Sequence, residues 1–353
     1  MGRSANLTKP VKGRGVCQAR DLCHRGCPWG AYFSTNSSTL PAAFATGNLT
    51  IRPYSLVNRV LYDENKKIAT GVEVLDTNSK KEENFYAKII FLNAATVATT
   101  FILLNSTSNR FPKGLGNDSD QVGRNLMDHH KGISANADVE GFEDSYYYGR
   151  RPTSIYIPRF KNITSQEKNF LRGFHFGGSA YRNRASSEHP IGKEFKDDIT
   201  EAGKWQMGMY AFGECLPYAD NRITLNSDKK DAWGRPMLKI DCEFKENEKA
   251  MSADMAATAK EFLEAAGYSN IRVHAQMSFP GNANHEMGTA RMGNDPKTSV
   301  LNTHNQLHDV KNVFITDGSC MASSSCVNPS LTFMALTARA CDYAVKQLQK
   351  RSI

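Results

Sequence analysis

Val313-Phe314-Ile315-Thr316-Asp317-Gly318 and, ten positions further on, Asn328-Pro329-Ser330-Leu331-Thr332 decide how this chain is read. The first stretch is a short apolar run closed by Asp-Gly, which predicts a buried strand ending in a turn. The second predicts a helix running to about residue 349. Asn328 stands where a cap belongs and Pro329 falls in the first turn, so neither residue gives up a needed hydrogen bond. A matching strand, turn and helix is expected at residues 88–104, KIIFLNAATVATTFILL. Asn93 and three threonines interrupt that run, and it is too short for an ordinary membrane span.

Working outward, residues 49–53, 55–63, 68–74 and 85–91 alternate apolar and polar positions between Asp-Glu-Asn and Thr-Asn-Ser turns, predicting a β-meander. Residues 134–213 show weaker patterning, with a Tyr146-Tyr147-Tyr148 run, and are expected to be strands with long loops. Residues 221–225 and 236–241 predict a strand pair across the turn at Asp231-Ala232-Trp233-Gly234. A helix is expected over 246–266, where Met251, Met255, Ala259, Phe262 and Ala266 recur at helical spacing and Gly267 supplies a stop. Those methionines read as core.

The composition narrows the function. With 353 residues and 40% hydrophobic content the chain can fill a sizeable core. Its net charge of +8 is scattered, with clusters such as Lys80-Lys81 and Lys229-Lys230 no longer than pairs, which argues against a nucleic-acid groove. Eight cysteines do not form the pattern of a small disulfide scaffold. No apolar run follows the amino-terminal charge, so no signal peptide is visible, and the sequence points to no compartment.

Three stretches resemble the glucose-methanol-choline (GMC) oxidoreductases. Val122-Gly123-Arg124-Asn125-Leu126-Met127-Asp128-His129 is similar to that family's G-R-N-L-x-D-H segment. Asn221-Arg222-Ile223-Thr224-Leu225, with the Gly234-Pro236 turn behind it, is the second. The third is His285-Glu286-Met287-Gly288-Thr289-Ala290-Arg291-Met292-Gly293, followed by Asn312-Val313-Phe314 to Gly318 and then Asn328-Pro329-Ser330-Leu331-Thr332. The resemblance implies a two-part α/β (α+β) fold: an incomplete FAD-binding Rossmann-like domain beside an antiparallel-sheet substrate-binding domain. The implied division is 1–133, 134–280 and 281–353. Two departures stand out. Gly13-Arg14-Gly15-Val16-Cys17-Gln18 carries two of the three glycines of a G-x-G-x-x-G turn and follows no strand, so roughly 150 residues of the usual fold, an ordinary domain segment, are expected to be absent. Leu92-Asn93-Ala94-Ala95 also lacks the Ala-Gly usual at that strand end.

The resemblance implies FAD as cofactor, an alcohol or sugar as substrate, and an electron acceptor left open among oxygen, a quinone and a cytochrome. Oxidising an alcohol removes the hydroxyl proton and the carbon-bound hydride. An imidazole suits the first task near neutral pH, and His285 is expected to be that base. Asn328 is expected to hold the substrate oxygen as charge develops on it. The helix start at Asn328, Pro329 and Ser330 is expected to lie against the flavin, with the unpaired N–H groups and positive dipole end of the helix facing it. Asp317 and Gly318 are implied contacts to the ribityl chain and phosphate, and Val57 to the adenine. Taken alone, Asn328 is a helix cap, Asp317-Gly318 a turn, and Asp128-His129-His130 no metal site, because adjacent histidines point apart. Cys17, Cys23 and Cys27, with His24 between them, precede Gly26-Cys27-Pro28-Trp29-Gly30-Ala31, a segment near which some flavin dehydrogenases of the family carry an iron–sulfur cluster; thiols in a loop covering the flavin are the plainer expectation. Two other functional readings stand beside the enzyme: a truncated, non-catalytic chain that cannot hold FAD alone, and an iron–sulfur electron-transfer subunit.

Overall fold

A computed structural model describes residues 2–3, 6–20, 23–145, 153–184 and 187–353; Tyr146, Tyr147 and Tyr148 lie outside them. The helices are α1 (Thr39–Phe44), α2 (Thr96–Asn105), α3 (Lys193–Thr200), α4 (Glu246–Ala265) and α5 (Ser330–Gln349). Alternating residues form β2 (Ser55–Asp63), β3 (Ile68–Asp76) and β4 (Glu82–Tyr86) as an antiparallel meander. Two expectations for this region need correction. Residues 49–53 are not a strand, since Pro53 has no N–H to offer a ladder and Tyr54 turns the chain at φ +56°. The expected strand 85–91 is split: β4 ends at Tyr86, and β5 (Ile90–Leu92) belongs to a different sheet.

That second sheet is parallel and has two strands, β5 paired with β13 (Val313–Ile315) in the register Val313↔Ile90 and Ile315↔Leu92. All six of these residues except Phe91 are buried, as an α/β layer requires. Asn312 ties the layer together: its amide donates to the carbonyls of Ala69 (2.6 Å) and Lys88 (3.0 Å) and accepts from the Ala69 N–H (3.0 Å). Val60, Ile90, Leu103, Leu115, Ala290 and Ile315 fill the core below it. The hairpin β10 (Arg222–Lys230) and β11 (Pro236–Asp241) forms where expected, and its Leu225 and Leu238 pack against this same core.

A six-stranded antiparallel sheet forms the other layer, in the order β1 (Gly2–Arg3), β7 (Thr153–Ile157), β8 (Phe174–Arg184), β9 (Ala202–Gly213), β6 (Ser134–Val139) and β12 (Ser269–His274). α4 covers one face. Its Met251, Met255, Ala259 and Leu263 are fully buried against Ala135, Phe174, Phe176 and Met209, so the methionine stripe is core. Glu248 reaches back to the Lys245 N–H (2.9 Å) at the start of α4, and Gly267, at φ +75°, ends it. The architecture is the expected mixed α/β one, with antiparallel sheets. Among the described residues no helix is long and apolar enough to cross a membrane.

Candidate active site

His285 sits in a loop that has no regular structure of its own, so its position must come from elsewhere. Asp128 supplies it. This carboxylate is 2% exposed and accepts four backbone N–H groups: those of His129 (2.8 Å), Gly281 (2.9 Å), Ala283 (3.0 Å) and His285 (3.2 Å). The loop is therefore pinned at both ends of its turn to a single anionic acceptor, the strongest kind for an amide.

Beyond His285 the chain runs between two other segments. Met127 and Met287 exchange both backbone hydrogen bonds at 2.9 Å, and Gly123 and Arg124 bond to Thr289. On the opposite side Gly288 donates to Gly318 and Ala290 to Ser319. Both contacts require glycine. A Cβ on Gly288 would lie 2.0 Å from the Asn125 carbonyl oxygen, and one on Gly318 would lie 2.3 Å from that of Glu286. The first and third motif stretches are thus three backbone segments joined side by side by hydrogen bonds.

His285 Nε2 lies 3.1 Å from Asn328 Nδ2, so residues 43 apart in sequence meet. Asn328 is not the helix cap. Pro329 takes that position, its carbonyl accepting from the Phe333 N–H at 3.1 Å, and the Asn328 side chain is directed to the histidine instead. The N–H groups of Ser330, Leu331 and Thr332 have no carbonyl one turn back to accept them. His285 is half-buried, which lowers its pKa from the ordinary histidine value and keeps the imidazole neutral near pH 7. Asn328 is exposed and borders a cavity of about 380 Å3 that is also lined by Lys131, His175, Tyr210 and Phe212. The Phe212 ring lies 5.9 Å from that of His285.

The remaining expected residues divide. Gly318 abuts the histidine segment, as described. Asp317, whose pKa is raised by burial, directs its carboxylate inward to Thr99 Oγ1 (2.5 Å) and to the N–H (3.0 Å) and Oγ (2.5 Å) of Ser319. Val57 is in β2, packed on the core of the parallel layer. Ala95, at the strand end where the family has glycine, holds φ +68° and ψ +160°, a backbone region glycine alone enters freely. Gly13 lies in a tight turn in which Val11 and Arg14 exchange backbone hydrogen bonds, unlike a phosphate loop between strand and helix. Cys17, Cys23 and Cys27 line one cavity of about 220 Å3 with Arg20 and Trp29. Among the described residues no three His, Cys, Asp or Glu side chains are grouped to hold a metal.

Two participants were not singled out from sequence. Asp128 and His129 lie in a quoted motif, yet their contacts to residues more than 150 positions away leave no local signal. His129 and His130 do point apart: His129 Nδ1 is 2.9 Å from His285 Nδ1, whereas His130 is buried against Ser252 and Met251 of α4.

A histidine and a carboxamide thus meet beside a helix start, in a mixed α/β fold that joins a parallel layer and an antiparallel sheet. Two family models, both described as GMC oxidoreductase, match residues 3–131 and 217–337. The chain is 31% identical over 348 residues to 2-methyl-1,2-propanediol dehydrogenase of Mycolicibacterium austroafricanum, covering 96% of this chain and 62% of that protein. It is 28% identical over 350 residues to the fructose dehydrogenase large subunit of Gluconobacter japonicus, covering 98% and 62%. An Aspergillus oryzae formate oxidase studied for modification of its FAD shares the fold, with a TM-score of 0.60 and 16% identity over 86% of this chain and 62% of that one. The chain belongs to the GMC oxidoreductase family. It spans about 62% of the length of these relatives.

Proposed function

We propose that this chain carries the catalytic half of an FAD-dependent alcohol oxidation, with His285 as base and Asn328 as the group that steadies the substrate oxygen. The carrying observation is the 3.1 Å approach of His285 Nε2 to Asn328 Nδ2 beside a cavity large enough for a small polyol. His285 Nε2 takes the hydroxyl proton. Asn328 Nδ2, which faces the histidine lone pair at 3.1 Å, can turn its hydrogens from the ring to the substrate oxygen as negative charge grows there. The backbone clamp on residues 281–289 keeps the base in place without reorganisation.

The residues fit the flavin end of FAD. Val327 is 39% exposed, Leu331 77% and Met334 44%, an apolar surface beside free helix N–H groups, suited to a flat ring system with an electron-rich edge. FAD, when bound, supplies the acceptor for the hydride from the alcohol carbon. Asn328, Pro329 and Ser330 would hold its ring, and the Asp317-Gly318 turn and Val57 would approach the rest of the cofactor. The two cores support a division into a cofactor part (1–133 with 281–353) and a substrate part (134–280), with the β10–β11 hairpin reaching across.

A sugar or vicinal diol is the favoured substrate class, supported by the relatedness to a fructose dehydrogenase and a diol dehydrogenase and by Lys131, His175 and Tyr210 in the cavity wall. The turn at Gly13, which is unlike a phosphate loop, favours the second reading, that this chain cannot hold FAD alone. Mixing the purified chain with FAD and recording its absorbance, then adding a diol or ketose with an artificial electron acceptor, tests both. Bound flavin that bleaches with substrate supports the enzyme; no bound flavin supports the second reading.

A further inference from the structure

The base would be useless with its proton on the wrong nitrogen, and the residue behind it decides that. We infer that His129 is a positioning residue that fixes the tautomer of His285, holding a proton on Nδ1 so that Nε2 is bare toward the substrate. The inference rests on the reading of His285 as the base.

The argument is one of donors and acceptors. His129 Nε2 lies 3.1 Å from the Ser324 carbonyl oxygen and 2.9 Å from that of Ser325. Carbonyls only accept, so Nε2 carries the hydrogen. His129 is wholly buried, and that burial, reinforced by repulsion from a charged His285, lowers its pKa to about 4. It is therefore a neutral ring with one N–H, and its Nδ1 is an acceptor. The atom facing that acceptor at 2.9 Å is His285 Nδ1, which must donate. The remaining nitrogen, His285 Nε2, is left with its lone pair, and it meets the amide donor of Asn328 at 3.1 Å. The other tautomer would set two lone pairs 2.9 Å apart inside the protein.

The anchor is itself held. Ser324 Oγ donates to the Cys215 carbonyl (3.2 Å) and Ser323 Oγ to Glu214 (2.6 Å), and the His129 and Phe212 rings pack T-shaped at a centroid distance of 6.1 Å. When Nε2 takes the proton from an alcohol O–H, the Asn328 amide gives up the lone pair to the substrate while the Nδ1–H bond to His129 is kept, so the ring need not turn.

Nitrogen-15 labelling of the histidine rings reads the tautomer directly by two-bond proton–nitrogen correlation at pH 7.5, with His285 signals assigned by their loss in His285→Gln. The expected result is a protonated Nδ1 and a bare Nε2. In His129→Phe the His285 pattern should shift toward a protonated Nε2, and turnover of the flavin-loaded protein should fall about 100-fold or more, as for other bases held in the wrong tautomer. His129→Asn, whose carboxamide oxygen can accept from Nδ1–H, should restore both. A wild-type His285 protonated at Nε2, or an unchanged pattern in folded His129→Phe, overturns the inference. Because the tautomer is read without turnover, loss of the base reading through an active His285→Gln would be seen separately.

Discussion

The loop that carries His285 and the helix start that carries Asn328 are built on opposite terms. The loop is satisfied within this chain: four N–H groups on Asp128, a backbone pairing on each side, and two glycines where no side chain fits. The first half of α5 is presented outward. Only Ala340 and Ala344, in its second half, are buried, packed on Phe314, while Leu331 and Met334 face solvent. The loop of His285 is thus held by this chain, and the face beside it is open to solvent.

The comparison breaks most visibly at Asp128. Asp128→Ala orphans four amides, those of His129 and Ala283 buried, and should cost about 3–5 kcal/mol in denaturant unfolding. A loss below about 1 kcal/mol would mean that the loop stands on its own packing. A smaller effect is expected from pH. His129 and His130 are buried and neutral, with pKa values lowered to about 4 and about 3, chiefly by desolvation. The unfolded chain, with ordinary histidines near 6.5, binds more protons below that pH, so stability should be full above about 6.5 and fall as pH drops, by about 1.4 kcal/mol per unit for each histidine. Denaturation midpoints between pH 7 and pH 5, where exposed carboxylates stay charged, check this slope.

Much of the architecture was legible because it follows local periodicity. The meander, the β10–β11 hairpin, the α4 methionine stripe and the β13 to α5 passage all have alternation or helical spacing behind them. The misreadings arose where local patterns conflict with distant partners. Residues 85–91 look like one strand, but β4 pairs with β3 while β5 is drawn to β13, more than 200 positions away. Asn328 has the chemistry of a cap, yet His285 offers its amide a partner that no local pattern encodes. The approach of His129 to His285 spans 156 positions and is invisible for the same reason.

The smallest expected effect concerns a residue whose oddity was visible in sequence and whose cost is visible in structure. Ala95 occupies a glycine region of the backbone at φ +68°. Ala95→Gly should stabilise the chain by about 1 kcal/mol, the relief of strain exceeding the added flexibility of the unfolded state. A thermal midpoint that falls would show the alanine to be well accommodated.

The pair itself is tested most directly by rapid anaerobic mixing of the flavin-loaded protein with a vicinal diol or ketose, following the loss of flavin absorbance in wild type, His285→Gln and Asn328→Ala. With His285 as base and Asn328 as oxygen partner, bleaching per bound flavin should slow about 10²–10⁴-fold in the first variant and about 10²–10³-fold in the second. Bleaching at the wild-type rate in His285→Gln would remove the imidazole from the reaction and the account with it.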